Sequence, residues 1–247
     1  MTPLPRTASS EAIRVDNAGL AIHGFLHRPS RDPDIPCVVL CHGLMSSMES
    51  PKFRILADAL CHAGMAAVRF DFRGCGESEG DIRETTVSGR ATDLEAVLQH
   101  VRGALGYQGP LGLLGSSMGG FVSLLTVARR RDVRALCVWA TPFDLGGLVD
   151  LRGHPDLSPL GPSFYEDLKV HDLVPLAPFL HHLLVLHGEK DEVIPQSHAR
   201  RLFEMASPPK KIRIFPGGDH RFTNPVHRAE ALELSVRWFH EHLLETP

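Results

Sequence analysis

Charge of neither sign is in excess in this sequence: 26 lysines and arginines stand against 29 aspartates and glutamates, for a formal net charge of -3. No bulk field therefore draws the chain to nucleic acid or to an anionic lipid surface. No apolar run reaches the roughly 20 residues a membrane-spanning helix needs. Residues 1–10 carry prolines and hydroxyls without an apolar centre, so no secretory signal is expected there. The five cysteines, Cys37, Cys41, Cys61, Cys75 and Cys137, are odd in number and contain no CxxC pair. That pattern argues against a disulfide framework and predicts reduced, mostly buried thiols in a cytoplasmic protein. Internal repeats and low-complexity tracts are lacking too. These absences leave a soluble protein without a nucleic-acid or membrane partner, its oligomeric state unread.

The 247 residues are 43% hydrophobic and 22% charged, the composition of an ordinary globular protein. A chain of this size buries roughly 70–75% of the surface its unfolded form exposes, and a single domain over 1–247 is expected. Its apolar pattern alternates between strand and helix. Two short strands fall within 11–28, and residues 35–41 form a continuous apolar run, the mark of a strand covered on both faces. Phe53, Leu56 and Leu60 follow at helical spacing, with Gly64 as a stop. A strand over 66–72 leads to a helix whose apolar face is Leu94, Val97, Leu98 and Val101. Further strands are predicted at 111–115, 133–140, 183–187 and 212–215. Helices are predicted around Phe121–Ala128 and around Leu232, Val236, Phe239 and Leu243. The result is an α/β fold with a largely parallel central sheet flanked by helices.

Residues 141–179 break the rhythm with six prolines and the aromatics Phe143, Phe164 and Tyr165. A small cap insertion after the sixth strand, lying over the sheet's carboxyl edge, is expected here. A disordered surface insertion is the competing expectation.

The most informative segment is Gly115-Ser116-Ser117-Met118-Gly119, a G-x-S-x-G pattern at a predicted strand-to-helix junction. A serine on so sharp a turn stands clear of the sheet, but its backbone is strained and neighbouring side chains would collide. Glycines at 115 and 119 remove them. The following helix would put the Met118 N–H where an oxyanion develops, near the positive end of the helix dipole. A glycine-rich packing turn is the bland alternative. A phosphate loop fails, because Phe121 stands where that motif needs lysine.

A serine alcohol needs a base to take its proton and an acid to orient that base. Asp191 lies in the loop after the 183–187 strand, and His220 follows the last strand; both can reach the edge where Ser117 projects. Asp144 competes as the acid, while Glu192 and Asp219 are read as solvated or capping carboxylates. His42 and His187 lie at strand ends that precede the base's place in the chain. A second oxyanion donor is expected from Leu44 N–H, in the turn after the 35–41 strand, with His42 hydrogen-bonding that turn. Residues 70–78 are read as a structural turn with an Asp71–Arg73 contact. A dinucleotide fingerprint is ruled out there by Glu79 at the third glycine position. The pairs His181–His182 and His240/His242 lack the ligand set of a zinc site, and neither metal nor cofactor is expected.

Taken together, His42-Gly43-Leu44, Asp71-x-Arg73-Gly74-x-Gly76-x-Ser78, Gly115-x-Ser117-x-Gly119, Gly188-x-x-Asp191-x-x-Ile194-Pro195 and Gly218-x-His220 resemble the α/β-hydrolase superfamily. The nearest likeness is to bacterial feruloyl/cinnamoyl esterase-like serine hydrolases, with related esterases, thioesterases and serine peptidases sharing the motifs. The resemblance implies a catalytic Ser117, Asp191 and His220, with Leu44 and Met118 as backbone oxyanion donors. It implies a small-molecule ester as substrate, cleaved through an acyl-enzyme. Thioester or amide cleavage, acyl transfer, and ligand binding without turnover are the alternatives.

Overall fold

The computed structural model describes residues 9–147 and 159–245. Its centre is one eight-stranded sheet in the order β1-β2-β4-β3-β5-β6-β7-β8. β1 (Ser9–Asn17) and β2 (Leu20–Arg28) form an antiparallel hairpin. Ala18 and Gly19 both take positive φ at its tip, 53° and 88°, as a two-residue turn matched to strand twist requires. β2 also runs antiparallel to β4 (Ala66–Phe70). The remaining strands are parallel: β3 (Cys37–Cys41), β5 (Leu111–Ser116), β6 (Val133–Trp139), β7 (Leu183–Gly188) and β8 (Lys210–Phe215). β3, β4, β5 and β7 are buried at every residue. Helices on both faces thus explain why these strands are mostly apolar, β3 without a break.

Alternate strand residues feed two cores. On one face Val38, Leu40, Leu114 and Trp139 pack under α1 (Pro51–His62) and α6 (Pro225–Phe239). On the other, Cys37, Val39, Cys41 and Leu113 pack under α2 (Val87–Arg102) and α3 (Met118–Val127), joined by α4 (Pro162–Leu168) and α5 (Gln196–Met205). Among the described residues no helix is long and apolar enough to cross a membrane.

The order of the strands decides where a site can form. From β3 the chain moves to β4 on one side, then returns to β5 on the other. The loops leaving the carboxyl ends of β3 and β5 therefore diverge, and such a switch point is where open α/β sheets leave a crevice. Cys41 and Gly115 are paired in register there.

Most elements fall within two residues of the sequence reading. α5 is an addition: it buries only Ala199 and Leu202, too thin a stripe to stand out in the sequence. Of the expected cap, residues 148–158 lie outside the described residues. From 159 onward the segment packs against the body: Phe164, Tyr165 and Leu168 of α4 join the core, and Asp167 accepts hydrogen bonds from Ser88 N–H (2.9 Å) and Ser88 Oγ (2.6 Å) at the start of α2. The expected Asp71–Arg73 contact is not made. Arg73 turns instead to the buried Asp93 of α2, 2.7 Å away, and Asp71 receives the N–H groups of Met48 and Glu77. Two backbone donors satisfy that buried carboxylate in place of a cation.

Candidate active site

β5 ends at Ser116 and α3 begins at Met118, so Ser117 alone makes the turn. It does so at φ 53° and ψ -123°, a conformation that costs a non-glycine residue about 1–3 kcal/mol. The surroundings hold it there. Ser117 N–H donates to Trp139 O of β6 at 2.8 Å, and Ser117 O accepts from Gly120 N–H at 2.9 Å and Phe121 N–H at 3.2 Å. A Cβ on Gly115 would lie 2.5 Å from Gly119 O, and one on Gly119 only 2.3 Å from Cys41 O. The two glycines let α3 start directly against the ends of β3 and β5.

The turn after β3 faces this serine: a Cβ on Gly43 would lie 3.4 Å from Ser117 Cβ and 4.0 Å from Ser117 Oγ. His42 is fully buried and shapes that turn. Its Nε2 accepts the Phe72 N–H at 3.1 Å, which leaves the proton on Nδ1, and Nδ1 donates to Gly43 O at 2.7 Å. Burial, with the Arg90 charge nearby, pushes its pKa down to about 3. The ring is therefore a neutral structural donor, and its 3.6 Å approach to Asp71 is no ion pair. Neither Leu44 N–H nor Met118 N–H is spent on a hydrogen bond among the described residues. The latter opens α3, where backbone donors lack an intrahelical partner.

The loops after β7 and β8 bring Asp191 and His220 together. His220 Nδ1 lies 2.9 and 3.0 Å from the two oxygens of the fully buried Asp191 carboxylate. Val193 N–H and Ile194 N–H also donate to Asp191 Oδ1, at 2.9 and 2.7 Å. Ser117 Oγ makes no hydrogen bond among the described residues; without substrate, such contacts are commonly long.

The competing residues go elsewhere. Asp144 is exposed and turns to His198, 3.8 Å away. Glu192 accepts the His220 backbone N–H at 3.2 Å, and Asp219 accepts the Thr223 N–H at 3.0 Å. His187 sits beneath Asp191 rather than beside Ser117. All five cysteines are unpaired and buried. Desolvation pushes the thiols of Cys37, Cys41, Cys61 and Cys137 up to about 12. His181 and His182 touch each other, and His182 stacks edge-on with His242. Among the described residues no group of three or more potential ligands is placed to hold a metal ion.

Two neighbours of the site escaped the sequence reading. Lys52 Nζ donates to Ser116 Oγ at 2.7 Å, and burial together with Arg221 lowers its pKa to about 8. Arg90, fully buried, reaches the carbonyls of Gly43 and Leu44. A signal for Arg90 was available: it is a charged residue on the apolar stripe of α2, between Val87 and Leu94.

The family described as serine aminopeptidase, S33, matches residues 33–171, more than half of the chain. Mouse mitochondrial palmitoyl-protein thioesterase ABHD10 is 28% identical over 211 residues, 75% of this chain and 69% of that protein. The match to human ABHD10 is 27% over 187 residues and spans 65% of this chain and 58% of that protein. Est1E from Butyrivibrio proteoclasticus, solved with ferulic acid, superposes with a TM-score of 0.81 at 19% identity, covering 95% of this chain and 100% of that one. The solved structure of mouse ABHD10 gives 0.78 at 22% identity, with coverage of 94% and 99%. At such identities the superpositions speak for the fold, and the family match for the lineage. The sheet order, the strained serine turn at its switch point and the match over 33–171 make this chain a member of the serine aminopeptidase, S33, family within the α/β-hydrolase superfamily of serine hydrolases.

Proposed function

We propose that this serine hydrolase cleaves carboxylic esters of small molecules through an acyl-enzyme on Ser117. The observation that carries the reading is the 2.9 Å pairing of His220 Nδ1 with Asp191 at the edge of the sheet where Ser117 stands on its strained turn. With Nδ1–H given to Asp191, His220 keeps Nε2 free to accept a proton. Ser117 Oγ attacks the ester carbonyl as its proton passes to His220 Nε2. The oxyanion that forms is received by the N–H groups of Leu44 and Met118, backbone donors that make no other hydrogen bond among the described residues. His220 Nε2–H then protonates the leaving alcohol. Water, deprotonated by the same nitrogen, releases the acid and restores the serine. These steps call for neither metal nor cofactor.

A fluorophosphonate probe is expected to label Ser117, and Ser117→Ala is expected to abolish p-nitrophenyl ester turnover. Undiminished turnover in that variant would overturn the assignment. Thioester cleavage is the second reading, favoured by the 28% identity to a palmitoyl-protein thioesterase. Oxygen esters and thioesters with matched acyl groups, from short chains to palmitoyl and feruloyl, separate the two by kcat/KM.

A further inference from the structure

Arg90 is the most anomalous buried residue of the fold. It lies on the face of α2 that buries Val87, Leu94, Val97, Leu98 and Val101, and it is itself fully buried. A guanidinium in such a core is costly unless its donors are met. No carboxylate meets them among the described residues; Asp93, one turn on, is held by Arg73. Instead Nη1 donates to Gly43 O at 3.3 Å and Nη2 to Leu44 O at 3.0 Å. Nε donates to Thr85 Oγ1 at 3.1 Å, Nη2 also lies 3.3 Å from Cys75 Sγ, and the guanidinium rests over the Phe72 ring at 4.9 Å. Its fork is spent on the two carbonyls of the turn that faces Ser117.

The Gly43–Leu44 peptide is trans, as are all described peptide bonds except Pro208–Pro209. In a planar trans peptide the C=O of Gly43 and the N–H of Leu44 point in opposite directions. Whatever holds Gly43 O on the α2 side therefore aims Leu44 N–H away from α2, toward the Ser117 turn. Two donors hold it: Arg90 Nη1, and His42 Nδ1–H at 2.7 Å. The hold is needed because glycine has no Cβ to bar a rotation of this peptide plane. A flipped plane would turn a carbonyl oxygen toward the developing oxyanion and the donor away.

Resting on the acyl-enzyme reading above, we infer that Arg90 is a positioning residue that fixes the Gly43–Leu44 peptide with its N–H facing the reaction centre. It touches neither substrate nor reacting atoms. Lysine cannot replace it, because one ammonium does not span two carbonyls in the fixed geometry of a guanidinium fork.

The test compares wild type, Arg90→Lys and Ser117→Ala in the full chain. Losing an oxyanion donor costs about 10²–10³-fold in kcat, so Arg90→Lys is expected to lower kcat about 10²-fold with KM within about threefold. Its affinity for a trifluoromethyl ketone, which forms the tetrahedral adduct, should fall by a similar factor. Soluble guanidinium should restore part of the kcat of Arg90→Ala. A folded Arg90→Lys with wild-type kcat, or with lowered kcat and undiminished trifluoromethyl ketone affinity, overturns the inference. If neither Arg90 variant folds, Thr85→Val removes only the hydroxyl that steadies Nε. It should lower kcat severalfold at unchanged KM, and wild-type kcat there overturns the inference equally. A wild-type chain without esterase or thioesterase turnover overturns the hydrolase reading itself; an active wild type beside an unimpaired Arg90→Lys overturns only the role of Arg90.

Discussion

His187 Nε2 lies 3.3 Å from Asp191 Oδ2, beneath the carboxylate that His220 Nδ1 approaches from the opposite loop at 2.9 Å. The same Nε2 is 2.8 Å from Ile194 O, an acceptor only, so the proton sits on Nε2 and is donated there, at the end of the loop that carries Asp191. Burial lowers its pKa, which keeps it neutral in this tautomer. His187→Phe retains the bulk but loses the donor. It should cost about 1–3 kcal/mol, because Ile194 O is left buried and unsatisfied, and should lower kcat about tenfold with KM unchanged. Urea unfolding and steady-state kinetics read the two effects. A wild-type kcat would mean that the 191–194 loop keeps Asp191 in place without the His187 bond to Ile194 O.

The two candidate acids give opposite outcomes. Asp191→Asn should lower kcat by about 10³–10⁴, because an amide cannot hold His220 in the tautomer that frees Nε2. Asp144→Asn, exposed and turned toward His198, should leave kcat within about twofold. Equal losses in both variants would refute this division.

His42 sets a pH dependence of stability. Its pKa is near 3 in the folded state against about 6.5 in the unfolded chain. Below about pH 6.5 the unfolded chain therefore takes up a proton that the folded one refuses. The stabilising contribution is complete above pH 6.5 and is lost as pH falls from there toward 3. At pH 5 the loss amounts to about 2 kcal/mol. Denaturant titrations at pH 7.5 and pH 5 should show a smaller loss for His42→Gln than for wild type, by about that amount. Equal losses would mean that His42 is not held neutral.

Gly119→Ala would set a Cβ 2.3 Å from Cys41 O and 2.4 Å from His42 O, backbone atoms that cannot swing aside. A cost of about 2–4 kcal/mol is expected, together with loss of fluorophosphonate labelling as the Ser117 turn is pushed off β3. Thermal unfolding and probe labelling test both. Full labelling at wild-type stability would show that α3 tolerates a shift.

The cysteines should be inert in the native state. Thiols pushed up to about 12 hold almost no thiolate at neutral pH. Iodoacetamide should leave activity intact even though Cys41 ends the strand beside the site, and should modify the thiols only after unfolding. Rapid loss of activity on treatment would contradict this.

The local signals were strong where chemistry and secondary structure coincide. Gly115 and Gly119 marked the turn because a Cβ at either position would come within 2.5 Å of backbone atoms, so only glycine fits there. The continuous apolar run over 35–41 marked a strand covered on both faces, since no other placement buries it. The helix over 196–205 escaped notice because only two of its residues are buried. The Asp71–Arg73 contact failed because sequence proximity does not aim side chains: Arg73 found Asp93 twenty residues away.

For Ser117, His220 and Asp191, the sequence by itself determined residue types, chain order and the strand after which each falls, because turn chemistry and apolar periodicity are local properties. Only the tertiary structure decided which residues meet. Asp191 rather than Asp144 lies under His220, because β7 and β8 are neighbours and their loops leave the same edge. Arg90 acts on the Gly43–Leu44 turn, 46 residues from Leu44 in sequence, because packing sets the buried face of α2 against that loop. Which carbonyl a buried cation finds depends on the direction of a peptide plane, and that direction is fixed only when the helix and the turn are packed together.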